Sequence, residues 1–460
     1  MIPLSDTGSV SGIVIRYWDS TNRTALKSSP TASTGRAMIT NIVSDSVNVE
    51  IFIRVFSRLL LLTGVILLTA CHKGKMIASS QEHRLLADGK KFVADAAFRR
   101  RALEDSFTNR DNGYAKIRLA NYTRDGWDRL DVLNPRFRPI RPADIGQGKP
   151  TPDNTWQRFD DAETPWDLAH LRALGARGFA AYPAQVEYSM FEVLKDEDRV
   201  RRAGLWQTED SLGGLVWVEL KGGVFPALTC STCHSTVDKN GTLVHGMPNH
   251  EINLGLSIDE YGRHITPSGA WGKGRIDITS DGNFDPIAIP DLRAVRFQKR
   301  LHRTGNLKST PLSLAVRLDT GLTLSFRKSM RPPRALVYAM STYIFGLADS
   351  LPAPKRGRGR AVFEKACASC HQGEGLSGDG MPIEESGANR AIMMNPSRTT
   401  GSVRIPSLRG GPGRRLLTAD GRISSIEELL DPARTSSAHR FGLSMNKADR
   451  AALVDYLRSL

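Results

Sequence analysis

The chain has 460 residues, 40% of them apolar and 24% charged, with a formal charge of +15 and an isoelectric point near 9.8. That composition belongs to an ordinary globular protein and lacks the repeated long apolar segments of a polytopic membrane protein. The basic balance would usually raise nucleic acid as a partner, but the cysteine motifs below argue for another use of the charge.

Residues 1–50 are rich in Ser, Thr and Asn and carry no sustained apolar period, so we expect an upstream extension or a start assigned too early. Residues 51–70 have the order of an export signal: Arg54 and Arg58, then the apolar run Leu59–Ala70. That run is 12 residues long, short of the roughly 20 a membrane-spanning helix needs. Leu68-Thr69-Ala70-Cys71 resembles the lipobox of bacterial lipoproteins, which implies lipid attachment at Cys71. The expected location is then the periplasmic side of a bacterial membrane, the outer rather than the inner one. The remaining 390 residues keep about +13 and suffice for two or three domains.

Residues 71–200 carry no redox motif and are expected to form a helical N-terminal region, with one helix over Glu82–Ser106. Leu215–Leu220 and Val224–Leu228 then predict two strands around a Gly222-Gly223 turn. The first of two similar pentapeptides follows at once, Cys230-Ser231-Thr232-Cys233-His234. The second is Cys367-Ala368-Ser369-Cys370-His371. Each C-x-x-C-H sets two thiols one helical turn apart, within reach of the two vinyl groups of one porphyrin. The adjoining His234 or His371 can supply the proximal nitrogen to iron. Paired zinc knuckles are the alternative, but their C-x-x-C pairs usually lie about 15–20 residues apart, against 137 here, and need no following His. Two covalently bound c-type haems are therefore the expected cofactors.

Domain 1 is expected over 201–350, a linker rich in Pro, Gly and Arg over 351–358, and domain 2 over 359–460. Gly359–Ala366 reads as an amphipathic helix running into the second motif, with Val362, Phe363 and Ala366 on one side. The last helix is capped by Asn446 and turns Leu453, Tyr456, Leu457 and Leu460 to one face.

The two halves repeat. Ile289-Pro290-Asp291-Leu292-Arg293 matches Ile405-Pro406-Ser407-Leu408-Arg409, and a Gly follows each Pro by 15 residues, at Gly305 and Gly421. Gly246-Met247-Pro248 is echoed by Gly380-Met381-Pro382, and Ala339–Leu347 by Ala452–Leu460. The fold class that follows is mainly α, with two tandem cytochrome c-like haem domains, a helical N-terminal region and a short β-hairpin before the first motif.

The second motif, Val403–Arg409, Asp420-Gly421, Ile426–Leu429 and Ala451–Leu460 together resemble the bacterial dihaem cytochrome c peroxidase superfamily, which includes the methylamine-utilisation maturase and the dihaem rubber oxygenases. The order of hairpin, haem motif, Gly246–Asn249 and Gly274–Asp277 is closer to the rubber-oxygenase-like branch. The resemblance covers roughly residues 200–460 and implies that the place 12 residues after the Pro lies at or beside a sixth iron ligand. That place holds His302 in the first half and Thr418, a poor ligand, in the second. His302 is thus the candidate distal ligand at the first haem; at the second it is either Met381, with Met393, Met394 and Met445 as rivals, or no protein ligand at all.

A filled sixth position makes an electron carrier, whereas an open one admits peroxide or dioxygen. The expected function is one-electron transfer through two haems, with an acidic redox protein as partner and no nucleic acid. The alternative is peroxidase-like reduction of hydrogen peroxide, for which Glu384 and Glu385, or His245 and His250, are candidate proton acceptors. A third possibility is the electron-accepting subunit of a periplasmic dehydrogenase.

Overall fold

The computed structural model describes residues 80–124, 126–159, 166–261, 271–277, 285–395 and 399–460. Residues 1–70 and Cys71, with the export and lipid-attachment expectations placed on them, lie outside the described residues. Asp88–Leu460 belong to one compact unit. Among the described residues no helix is long and apolar enough to cross a membrane.

The single helix expected over 82–106 is two: α1 (80–94) and α2 (Ala96–Ser106). Asp95 divides them because its extended backbone frees its carboxylate to accept from Phe98 N at 3.0 Å, an N-cap. Next come α3 (Gly113–Arg124) and α4 (Leu168–Ala181), the latter capped by Asp167. The N-terminal region is not helical throughout. It supplies β1 (Phe137–Pro139) and β2 (Gln185–Val186), which flank the expected hairpin, β3 (Leu215–Leu220) and β4 (Gly223–Leu228). The result is one antiparallel sheet of order β1-β3-β4-β2. Leu215–Val218 are buried on both faces, so the alternation of a half-solvated strand is absent there. Trp217 and Leu228 share a core with Cys233, which ties the sheet to the first motif.

The C-terminal part adds α5 (Pro311–Ser325), α6 (Arg334–Gly346), α7 (Arg358–Ala366) and α8 (Lys447–Arg458). Asn446 caps α8 by accepting from Asp449 N at 2.9 Å, and Leu453, Tyr456, Leu457 and Leu460 are buried, as the periodicity predicts.

One crossing of helices occurs twice with matching residues. Where α4 crosses α6, a methyl group on Gly175 would lie 2.1 Å from Ala339 O, and where α7 crosses α8 one on Gly359 would lie 2.1 Å from Ala452 O. Beside each contact an aromatic pair closes the crossing: Phe179 on Tyr343 at 5.6 Å and Phe363 on Tyr456 at 5.4 Å between ring centres. In the second half α7 runs straight into Cys367. In the first, residues 182–229 intervene, and Thr229 Oγ1 donates to Ala180 O at 3.0 Å, returning the chain to the end of α4. That insertion is why α4 falls among residues assigned from sequence to the N-terminal region.

Both glycines lie where backbones touch, so Gly359→Ala is expected to cost about 1–3 kcal/mol by overpacking. Denaturant titration measures this, and an unchanged midpoint would show that α7 and α8 separate without penalty.

Candidate haem site

The second motif is built by local hydrogen bonds. His371 N donates to Cys367 O at 3.0 Å and Cys370 N to the same oxygen at 3.2 Å, a turn that brings Cys367, Cys370 and His371 to the wall of one cavity. Leu408, Leu416, Leu429, Leu430, Leu453 and Leu457 supply an apolar lining suited to a porphyrin. His371 Nδ1 lies 3.1 Å from both Leu376 O and Pro406 O, so it carries the proton and leaves the Nε2 lone pair for iron. Burial pushes the His371 pKa down to about 4, which keeps the ring neutral, the form that binds metal. Burial also pushes the Cys367 thiol up to about 11. Among the described residues no three or more His, Cys, Asp or Glu side chains converge as a metal cage, so the two C-x-x-C pairs do not meet as a zinc site would require.

Residues 357–460 match the family model for cytochrome c. The chain carries a cytochrome c domain. A cytochrome c domain implies covalently bound haem with iron and a role in electron transfer. A search of the curated proteins found no match to the chain.

The cavity fits that group beyond its thiols. His439 faces His371 with ring centres 6.4 Å apart. Two imidazoles on one iron, each with a metal–nitrogen bond of about 2 Å, would stand about 6 Å apart. Met381, the distal ligand expected from sequence, also lines the cavity, from a strand in which it pairs with Val403. Arg303, Arg404 and Arg414 line the cavity too, and Arg303 Nε is buried without a partner, an orphan donor of the kind an acidic group on the cofactor would satisfy.

Sequence reasoning missed His439. The signal was present, for His371 and His439 are the only histidines between residues 357 and 460. Glu384 and Glu385, by contrast, are both exposed on the short helix Ile383–Ser386, and neither lines the cavity. Glu384 is ion-paired with Arg390. Their helix buries Ile383 and Ser386 instead, which turns the two carboxylates to solvent. Met393 is buried among Ile287, Ile383 and Ile392, Met445 packs beside the α8 core, and Met394 is exposed.

The first motif has matching local bonds. His234 N donates to Cys230 O at 3.2 Å, and His234 Nδ1 lies 3.0 Å from Pro290 O, the counterpart of Pro406. Burial pushes the His234 pKa down to about 4 and the Cys230 thiol up to about 12. The repeated backbone extends further: His302 and Thr418 are both left-handed, at φ 64° and 68°, as are Gly305 and Gly421, at 65° and 67°. One echo fails. Leu292 N donates to Gly246 O, but its counterpart Leu408 N donates to Leu376 O, so the structural equivalent of Gly246 is Leu376 rather than Gly380.

His302 is engaged by protein. Arg317 Nε donates to its Nε2 at 3.1 Å, Tyr114 packs edge-on at 5.7 Å, and burial with Arg317 and Arg118 nearby holds its pKa well below the usual range. Its Nε2 is thereby engaged within the protein. His245 Nδ1 bonds Tyr343 Oη at 2.7 Å within the α4–α6 crossing, and His250 Nε2 lies 2.9 Å from Gly413 O.

Proposed function

We propose that this chain is a dihaem c-type cytochrome that passes single electrons between a donor and an acceptor protein. One haem is held by Cys367, Cys370 and His371 with His439 as sixth ligand, the other by Cys230, Cys233 and His234. The observation that carries this reading is the repetition in both halves of the same helix crossing and of the same proximal His to Pro carbonyl bond. When bound, haem supplies a one-electron iron couple. The residues around it keep each proximal imidazole neutral, fix its tautomer and exclude water with leucines. Pro290 links the halves, since its carbonyl meets His234 Nδ1 while the residue also lines the cavity beside His371.

In this reading Cys71 anchors the protein by lipid on the periplasmic side of the outer membrane, and the positive charge steers an acidic redox protein. The peroxidase-like alternative requires a haem with an open sixth position. It draws support from the first half, where Arg317 already occupies His302 Nε2. The intact mass of the matured protein is expected to include two macrocycles resistant to acid–acetone, and Cys230→Ser/Cys233→Ser is expected to remove one of them. A wild-type protein with a single haem, at Cys367 and Cys370, would overturn the dihaem assignment.

A further inference from the structure

Arg303, Arg404 and Arg414 line the cavity of the cytochrome c domain, and none of them is ion-paired with a carboxylate among the described residues. Arg303 Nη2 donates to Ala288 O at 2.6 Å, while its Nε is buried and unpartnered. Arg414 spends both terminal nitrogens on carbonyls, Ser407 O and Arg409 O, each at 2.8 Å. Arg404 follows directly, its backbone N bonded to Arg303 O at 2.8 Å. The acids whose charge reaches Arg414 and Arg303 already have partners: Asp291 pairs with Arg293 at 2.6 Å, and Asp420 with Arg422 and Thr418. Desolvation first, and then repulsion from neighbouring arginines, push Arg303 down to about 10 and Arg404 to about 9. Buried cations are costly unless paired, and guanidinium matches a carboxylate in shape as well as charge.

We infer that Arg303, Arg404 and Arg414 bind the propionate carboxylates of the haem attached at Cys367 and Cys370, and that Arg303 does so from the first half of the chain. This inference rests on the cytochrome c domain and not on a second haem. Arg303 lies 13 residues after Pro290, and the residue 13 after Pro406 is Ala419, which brings no charge. The cavity of the second half thus takes a cation that its own repeat lacks. Loading haem there clasps the two halves together through a charge-assisted bond, and Arg303 acts as a positioning residue that also tunes the iron.

The test is a spectroelectrochemical titration of the full-length holoprotein against pH. Arg303→Gln should lower the midpoint potential of one haem, because removing a nearby positive charge favours the ferric state. It should also introduce a pH-dependent step near neutrality, as the released propionate begins to take up a proton on reduction. Arg303→Lys should keep both the potential and the flat profile, which a merely structural role for the side chain would not predict. If Arg303→Gln fails to mature, Arg404→Gln carries the same expectation. Added inorganic phosphate should leave the wild-type potential unmoved. A phosphate-dependent shift would mean that the arginines hold an exchangeable anion, and would overturn the assignment. So would an unaltered potential and pH profile in the loaded glutamine variants. Haem absent from Cys367 in the wild type would instead sink the cytochrome reading itself, so the two failures are distinguishable.

Discussion

His439→Ala is expected to convert the haem at Cys367–His371 from a six-coordinate, low-spin form to a high-spin form that binds cyanide. The expectation rests on the 6.4 Å between the two ring centres and on the effort the fold makes to hold His439 in place. Its backbone is left-handed, at φ 51°, a conformation that costs a non-glycine residue of order 1 kcal/mol and persists only where neighbours impose it. Those neighbours are visible. His439 N donates to Ser386 O at 3.1 Å, while Arg434 donates to Leu429 O, Ser436 O and His439 O, pinning the loop that carries the imidazole. Electron spin resonance of the oxidised protein before and after cyanide addition reads the outcome. A variant that stays low-spin would hand the sixth position to Met381, which lines the same cavity.

Glu187→Gln is expected to stabilise the protein by about 3 kcal/mol at pH 8 and by almost nothing near pH 4.5. Glu187 follows β2 and its side chain is buried, where Oε1 accepts from Ser189 N at 3.2 Å and Ser189 Oγ at 2.9 Å. Burial therefore raises its pKa from 4.5 to about 7. Because the folded-state value exceeds the unfolded one, the native chain holds the proton more tightly. The stability this lends is complete below pH 4.5 and is lost as pH rises through 7. Glutamine keeps the acceptor and removes the charge. Denaturant titrations of both proteins across that window would show a widening gap, and a gap independent of pH would refute the account.

Legibility from sequence followed the range of the interactions involved. The β3–β4 hairpin, the Asn446 cap and the apolar face of α8 depend on residues a few positions apart, and the expectations for them match the structure. The break at Asp95 was equally local, yet helical periodicity runs across it and only the capping chemistry marks it. The Gly-Met-Pro echo failed for the opposite reason, since a short match need not share a hydrogen-bonding position. Carboxylates at Glu384 and Glu385 were adjacent in sequence to the cavity wall, but the face a single helical turn presents is set by what it buries.

Amino-acid order alone set the two thiols and the imidazole of each C-x-x-C-H motif on one turn, because residues within five positions share a turn whatever surrounds them. It also carried the doubling of the chain, through Pro290 and Pro406 and the residues that follow them. Long-range packing chose the rest. His439 reaches the cavity from 68 positions beyond His371, Arg303 enters it from the other half, and α4 stands in for α7 across an inserted sheet. Those choices depend on which distant surfaces bury each other, and burial, unlike spacing, is a property of the folded whole.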